Sequence, residues 1–290
     1  MNRSKLIGAT ALASVMAASS AQAEMSISGL FAGTLKDSDG GGLASSFSTN
    51  SVYVTYSDSL DNGMGIGVSM SLTAAGLVTD VNIDTGMGSI GLGTGQDSAV
   101  DAMDGSPACY SLNACGSALN ANYIDGDALS GNSIKYSNSL GGVSFALTRG
   151  MEGATVEPVI SLAASTSIMG ATIKAGVSEI DYKASGTADV DPSFVTVGYS
   201  IAGLNLGYAM YDGDNGGEET QMGVGTSAMG MNVGVTFADA DLATDVDYMR
   251  VSLSKGMGAA SFGLDYTETD VSGTDTGDSD VWNFMYVVGF

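Results

Sequence analysis

The sequence predicts an all-β protein, a transmembrane antiparallel β-barrel of sixteen strands. Three observations carry that expectation. Apolar and small polar residues alternate with period two along almost the whole chain, the pattern of strands with one apolar face. The mean hydropathy is positive although 32 acids stand against 9 bases, a net charge of −23. Past the first residues, however, no apolar run reaches the ~18 residues that a membrane helix needs. Lastly, short glycine-rich connections and longer acidic ones alternate strictly along the chain.

The first 23 residues stand apart. Arg3 and Lys5 precede an apolar run from Leu6 to Ala18, and Ala21-Gln22-Ala23 follows. A basic start, a short apolar core and a small-x-small exit read as a Sec signal peptide, residues 1–23, cleaved between Ala23 and Glu24. The apolar run is too short to span ~30 Å as a helix. Cleavage leaves residues 24–290 as one barrel domain and places the protein beyond the inner membrane. It removes two bases and no acids, so the net charge becomes −23 − 2 = −25. That charge argues against nucleic acid and against anionic lipid surfaces as partners.

The strands follow in order, centred on 25–35, 50–57, 65–74, 81–85, 89–96, 132–138, 143–149, 159–167, 172–183, 194–200, 204–211, 220–227, 231–237, 248–254, 260–267 and 281–290. The third reads GMGIGVSMSL, with Met64, Ile66, Val68, Met70 and Leu72 opposite glycines and serines. The eleventh reads LNLGYAM, with Leu204, Leu206, Tyr208 and Met210 opposite Asn205, Gly207 and Ala209. In the thirteenth, MNVGVTF, Met231, Val233, Val235 and Phe237 share a face. The last reads VWNFMYVVGF, with Trp282, Phe284, Tyr286, Val288 and Phe290 on one face. Seven short connections, rich in Gly and Met, fall at 61–65, 85–89, 139–142, 168–171, 201–203, 228–230 and 255–258. Eight longer acidic ones are expected near 36–49, 75–80, 97–132, 150–158, 184–193, 212–219, 238–247 and 268–280.

An even strand number puts both termini on one side. Tight turns on that side and long loops on the other are the asymmetry of an outer-membrane barrel. In lipid every backbone N–H and C=O must be paired within the protein, which a closed barrel achieves and an open sheet does not. The apolar face then points outward to lipid and the small polar face inward to water. Sixteen strands enclose a lumen wide enough for an aqueous channel.

On these features the whole mature chain resembles the sixteen-stranded general porins of Gram-negative bacteria, in particular the alphaproteobacterial type. The points of match are the terminal Phe290 after alternating aromatics, the strand number, and a longest loop in third place. The resemblance implies that Phe290 is an assembly signal read by the barrel-assembly machinery. It also implies an outer-membrane location, export through the periplasm, a homotrimer, and lipid and lipopolysaccharide as neighbours. It further implies that the third loop folds into the barrel and narrows the pore. That loop carries Asp97, Asp101, Asp104, Asp125 and Asp127. Cys109 and Cys115 sit near its middle, six residues apart, and the oxidising compartment favours a local disulfide.

Strand parity points Lys36, Lys135, Lys174 and Arg250 into the lumen, and Arg149 outward near a loop. General porins set a basic wall patch against an acidic third loop; here the basic half is thin. Local pairing of the lumen bases with Asp84 or Asp265 is an equal alternative. The remaining acids read as a solvated outer rim. A sharper reading makes Asp212, Asp214, Glu218 and Glu219, in DGDNGGEE, a weak calcium site, since hard cations take several oxygen ligands. The spacing is not that of an EF-hand loop, and no cofactor is otherwise implied.

Enzyme chemistry lacks its parts. The chain contains no histidine, so no Ser-His or Cys-His nucleophile pair exists. There is no phosphate-cradling Gly-Lys motif. The expected function is a water-filled channel for passive diffusion of ions and small hydrophilic solutes, with a cation preference. The alternative is a structural or adhesive barrel with a closed lumen that presents acidic loops. A soluble β-solenoid would need a fixed-period repeat, which the sequence lacks.

Overall fold

The structure is a computed structural model that describes residues 24–38, 41–73, 76–94, 96, 98–100, 132–151, 157–184, 187–214, 217–241, 245–272 and 279–289. Sixteen strands are present: β1 (Glu24–Ser38), β2 (Gly42–Ser59), β3 (Gly65–Thr73), β4 (Gly76–Asp84), β5 (Ser89–Gly93), β6 (Ser133–Leu140), β7 (Val143–Gly150) and β8 (Ile160–Ile168) form the first half. β9 (Ala171–Glu179), β10 (Ser193–Ile201), β11 (Leu204–Asp212), β12 (Glu218–Ala228), β13 (Met231–Asp241), β14 (Val246–Met257), β15 (Ala260–Val271) and β16 (Ser279–Gly289) form the second. Each strand pairs antiparallel with its chain neighbours, and β1 pairs with β16 to close the barrel. No sheet edge remains, so the ladder satisfies the backbone groups that lipid cannot.

Closure sets the two faces. The row Val224, Val235, Val251, Tyr266 and Trp282 runs across β12–β16 on the outside. The neighbouring row Gly225, Gly234, Ser252, Asp265, Asn283 and Lys36 runs across β12–β16 and β1 on the inside. The large exposed apolar side chains on the strands, from Ile27 and Phe31 through Leu206 and Phe237 to Val288, all lie on the outward parity. A soluble protein would have to hide them, whereas in a bilayer they meet hydrocarbon. Aromatic pairs reinforce the closing seam from outside: Phe31 with Tyr286 at 6.1 Å, Phe262 with Phe284 at 6.3 Å, and Tyr266 with Trp282 at 4.8 Å between ring centroids. Gly33 is required there, because a Cβ would fall 2.6 Å from the Tyr286 ring.

The tight turns lie where the sequence placed them. Met169-Gly170, Ala202-Gly203 and Met229-Gly230 have positive φ at both residues, from 50° to 84°, the geometry that matches the twist of flanking strands. Five long connections, the first, second, sixth, seventh and eighth, are shorter than expected. β1 and β2 continue as a hairpin to Ser38 and Gly42, past a bulge at Ala32/Thr34. β3 and β4 are separated only by residues 74–75, and β12 begins at Glu218. The acids there mislead the boundary: strands that rise beyond the bilayer carry carboxylates on faces that meet water, so charge marks the end of the lipid belt and not the end of the ladder. The signal segment 1–23 with Ala23, the residues Asp97, Asp101, Asp104, Asp125 and Asp127, the cysteines Cys109 and Cys115, and Phe290 lie outside the described residues. Glu24 opens β1.

Candidate functional site

The inward face of the barrel is the candidate site, and the ladder register places its residues. Lys135 on β6 stands between Gly91 of β5 and Thr148 of β7, on the inward parity; in the same row Asn82 pairs with Gly91, and its Oδ1 accepts from Gln96 Nε2 at 3.4 Å. Lys174 on β9 stands between Ser165 and Thr196. Arg250 on β14 stands between Thr236 and Thr267 and donates from Nε to Thr267 Oγ1 at 3.3 Å. Its guanidinium carbon lies 5.9 Å from the centroid of the Tyr248 ring, within cation–π range. Lys36 stands between Ala44 and Asn283 near the outer end of β1. Each base is therefore on the inward parity, on a different part of the wall, and they do not form one cluster. Arg149 pairs with Ile134 and Ile160 on the outward face.

A polar network lies on β12 and β14. Glu219 and Gln221 face inward and are almost fully buried. The Tyr248 hydroxyl donates to Glu219 Oε1 at 3.0 Å, and Gln221 Nε2 donates to the same oxygen at 2.6 Å and to the Tyr248 oxygen at 2.8 Å. Two donors on one carboxylate oxygen fix its direction, and charge-assisted bonds of this kind are the strong ones. The expected calcium ligands do not come together. Glu219 points into the lumen, whereas Glu218, one residue away, is outward beside Asp212 and Asp241. Asp214 has φ 57° and donates its N–H to Asp212 Oδ1 at 2.8 Å in a local turn. Among the described residues no group of three or more acids or cysteines is placed to hold a metal ion.

One feature of the lumen goes beyond the sequence reading. Ala146, Ala163, Gly176, Phe194, Tyr211 and Glu219 form one inward row across β7–β12. Ala99 and Val100, at the start of the third long connection, are buried against that row with Ala209. The Ala99 N–H donates to Ser161 Oγ at 2.9 Å. Ala99 and Val100 thus seat on the inner wall of the barrel. Gly176 makes room: a Cβ there would fall 2.5 Å from Phe194 and 3.0 Å from the Ala163 methyl. The signal was present, since Phe194 and Tyr211 hold the inward parity of their strands, but they stand at strand ends, where parity is easily assigned to a loop. The wall offers hydroxyls, amides and separated charges to water and solutes.

Comparison with known proteins fits this geometry. A family model described as Gram-negative porin matches residues 8–288. Nothing among curated proteins matches the chain. Among solved structures, a porin refined at 1.8 Å superposes with a TM-score of 0.71 at 18% identity, covering 92% of this chain and 100% of that one. OmpT of Vibrio cholerae, folded in vitro and described as the trimer form, gives 0.71 at 14% identity, covering 93% and 100%. A multiply substituted porin of Rh. blastica gives 0.66 at 15% identity, covering 92% and 100%. At these identities the structures are similar in fold.

Proposed function

The chain belongs to the Gram-negative porin family, and on that premise we propose that its outer-membrane channel conducts ions and small hydrophilic solutes passively, with a preference for cations. The observation that carries this reading is the split between the two faces of one ladder. The outside is apolar and exposed, whereas the inside is lined by glycine, serine, threonine and isolated charges. Flow through such a lumen is driven by the solute gradient and filtered by width and charge.

The third connection supplies the filter. Its first residues, Ser98 to Val100, are already buried within the barrel. We extend that course to the rest of the loop, which would bring Asp101, Asp104, Asp125 and Asp127 to the narrowest part. A passage lined by one sign of charge concentrates the opposite ion. The bases Lys36, Lys135, Lys174 and Arg250 oppose that bias but are spread over β1, β6, β9 and β14. A trimer is the expected assembly, as described for OmpT.

Reversal potentials across a salt gradient test the preference. The unmodified channel should favour cations moderately, and less so as salt rises, because rim charges are screened over ~10 Å at 0.1 M. Changing the four loop aspartates to Asn should weaken selectivity more than changing Asp270, Asp275, Asp278 and Asp280. Anion preference, or equal effects from the two sets, would overturn the reading.

A further inference from the structure

The outer wall carries a groove that solute diffusion does not use. It lies on the outward face of β12–β15 at their outer ends and encloses about 630 Å³. Its floor is apolar: Met222 is 58% exposed, Phe237 is 53% exposed, and Met249 completes the row between them and Glu268. Its upper lip is the next row outward, where Asp239 pairs directly with Asp247 and Asp247 with Asp270. Three carboxylates in adjacent register on three strands repel one another, since like charges directly opposite across a ladder are destabilising. Among the described residues, no base on the outward face of β11–β16 relieves them; Lys255, on that face, lies at the opposite end of β14.

We propose that this groove binds an amphiphile with a cationic headgroup: an amine-bearing lipid whose hydrocarbon lies along Met222, Phe237 and Met249 and whose ammonium sits among Asp239, Asp247, Glu268 and Asp270. The lip decides the sign of the head, and the floor decides that a tail is attached to it. A divalent cation alone would leave the floor uncovered, and the carboxylates are not grouped to coordinate one. An anionic lipid would add a fourth negative group to the row. An ammonium group brings three donors and a positive charge to acceptor-only oxygens. The site belongs to the outer face of the barrel and stands whether or not the lumen conducts.

The single tryptophan reports on it. Trp282 is outward on β16, in the row next to the floor, against Tyr266 of β15. Purified protein in a neutral detergent is titrated with tail-brominated alkylammonium and with the same brominated tail on a maltoside head, and Trp282 fluorescence is followed. The ammonium form should quench at several-fold lower concentration. The triple variant Asp239→Asn, Asp247→Asn, Asp270→Asn should lose that advantage. A variant with the same charge change on other strands, Asp58→Asn, Glu179→Gln, Asp212→Asn, should keep it. Removing mutual repulsion does not threaten the barrel, and heat-modifiable migration verifies folding of both. Equal quenching by the two heads, or equal loss in the two variants, would overturn the proposal. So would displacement of the ammonium form by calcium chloride at an ionic strength where sodium chloride has no effect, which would make the lip a metal site.

Discussion

At the scale of single residues, the turns carry a cost that the sequence makes visible. Met169 and Met229 adopt φ 51° and 55° and are almost fully exposed. A left-handed backbone disfavours most residues with a Cβ, whereas Gly lacks one and Asn is tolerated through local hydrogen bonding of its short side chain. Met169→Asn and Met229→Asn, which create the Asn-Gly pair such two-residue turns favour, should each raise stability, read as a higher temperature for the loss of the fast-migrating barrel in electrophoresis. A lower transition temperature would mean that the methionines make contacts that the turn geometry hides. The inward bases are also a residue-scale result. Lys135, Lys174 and Arg250 could be oriented from sequence because each sits mid-ladder, where a one-residue error would flip every neighbour to the wrong face.

At the scale of elements, strand identity was legible and strand length was not. The alternation in LNLGYAM or MNVGVTF names a strand and its lipid face at once. The first connection, by contrast, holds small and polar residues that neither alternate nor break, and its hairpin continues to Ser38 and Gly42. Glu219 reads as a loop ligand in the sequence because the two glycines before Glu218 imitate a turn; one residue of ladder register turns it into the lumen. In the proposed function, filtering depends on the third connection. Val100 is fully buried against the β7–β11 wall, and a charge forced into that contact would have to leave it or remain unpaired. Val100→Asp should therefore release the start of the connection and raise single-channel conductance, with uptake of larger neutral sugars in liposome swelling. Unchanged conductance in a folded variant would show that the anchor does not hold the filter. The last strand is the second such element. Deleting Phe290 should leave export intact and lower the amount of barrel in the outer membrane; an unchanged level of heat-modifiable protein would remove its role in assembly.

At the scale of the whole molecule, two features settle the architecture: a chain with 32 acids that still exposes its large apolar side chains, and a ladder that closes on itself. Lipid explains the first, and the absence of unpaired edges makes the second possible in lipid. Together they enclose a hole lined by small polar groups, and the central claim is that this hole is open. Single-channel recording of the purified protein in a planar bilayer tests this most directly. The account expects long-lived open steps whose size grows with the conductivity of the bathing salt and which close in three equal parts under high voltage. Insertion of folded, heat-modifiable protein without such steps would contradict it, and would leave a barrel whose lumen is closed and whose role is structural.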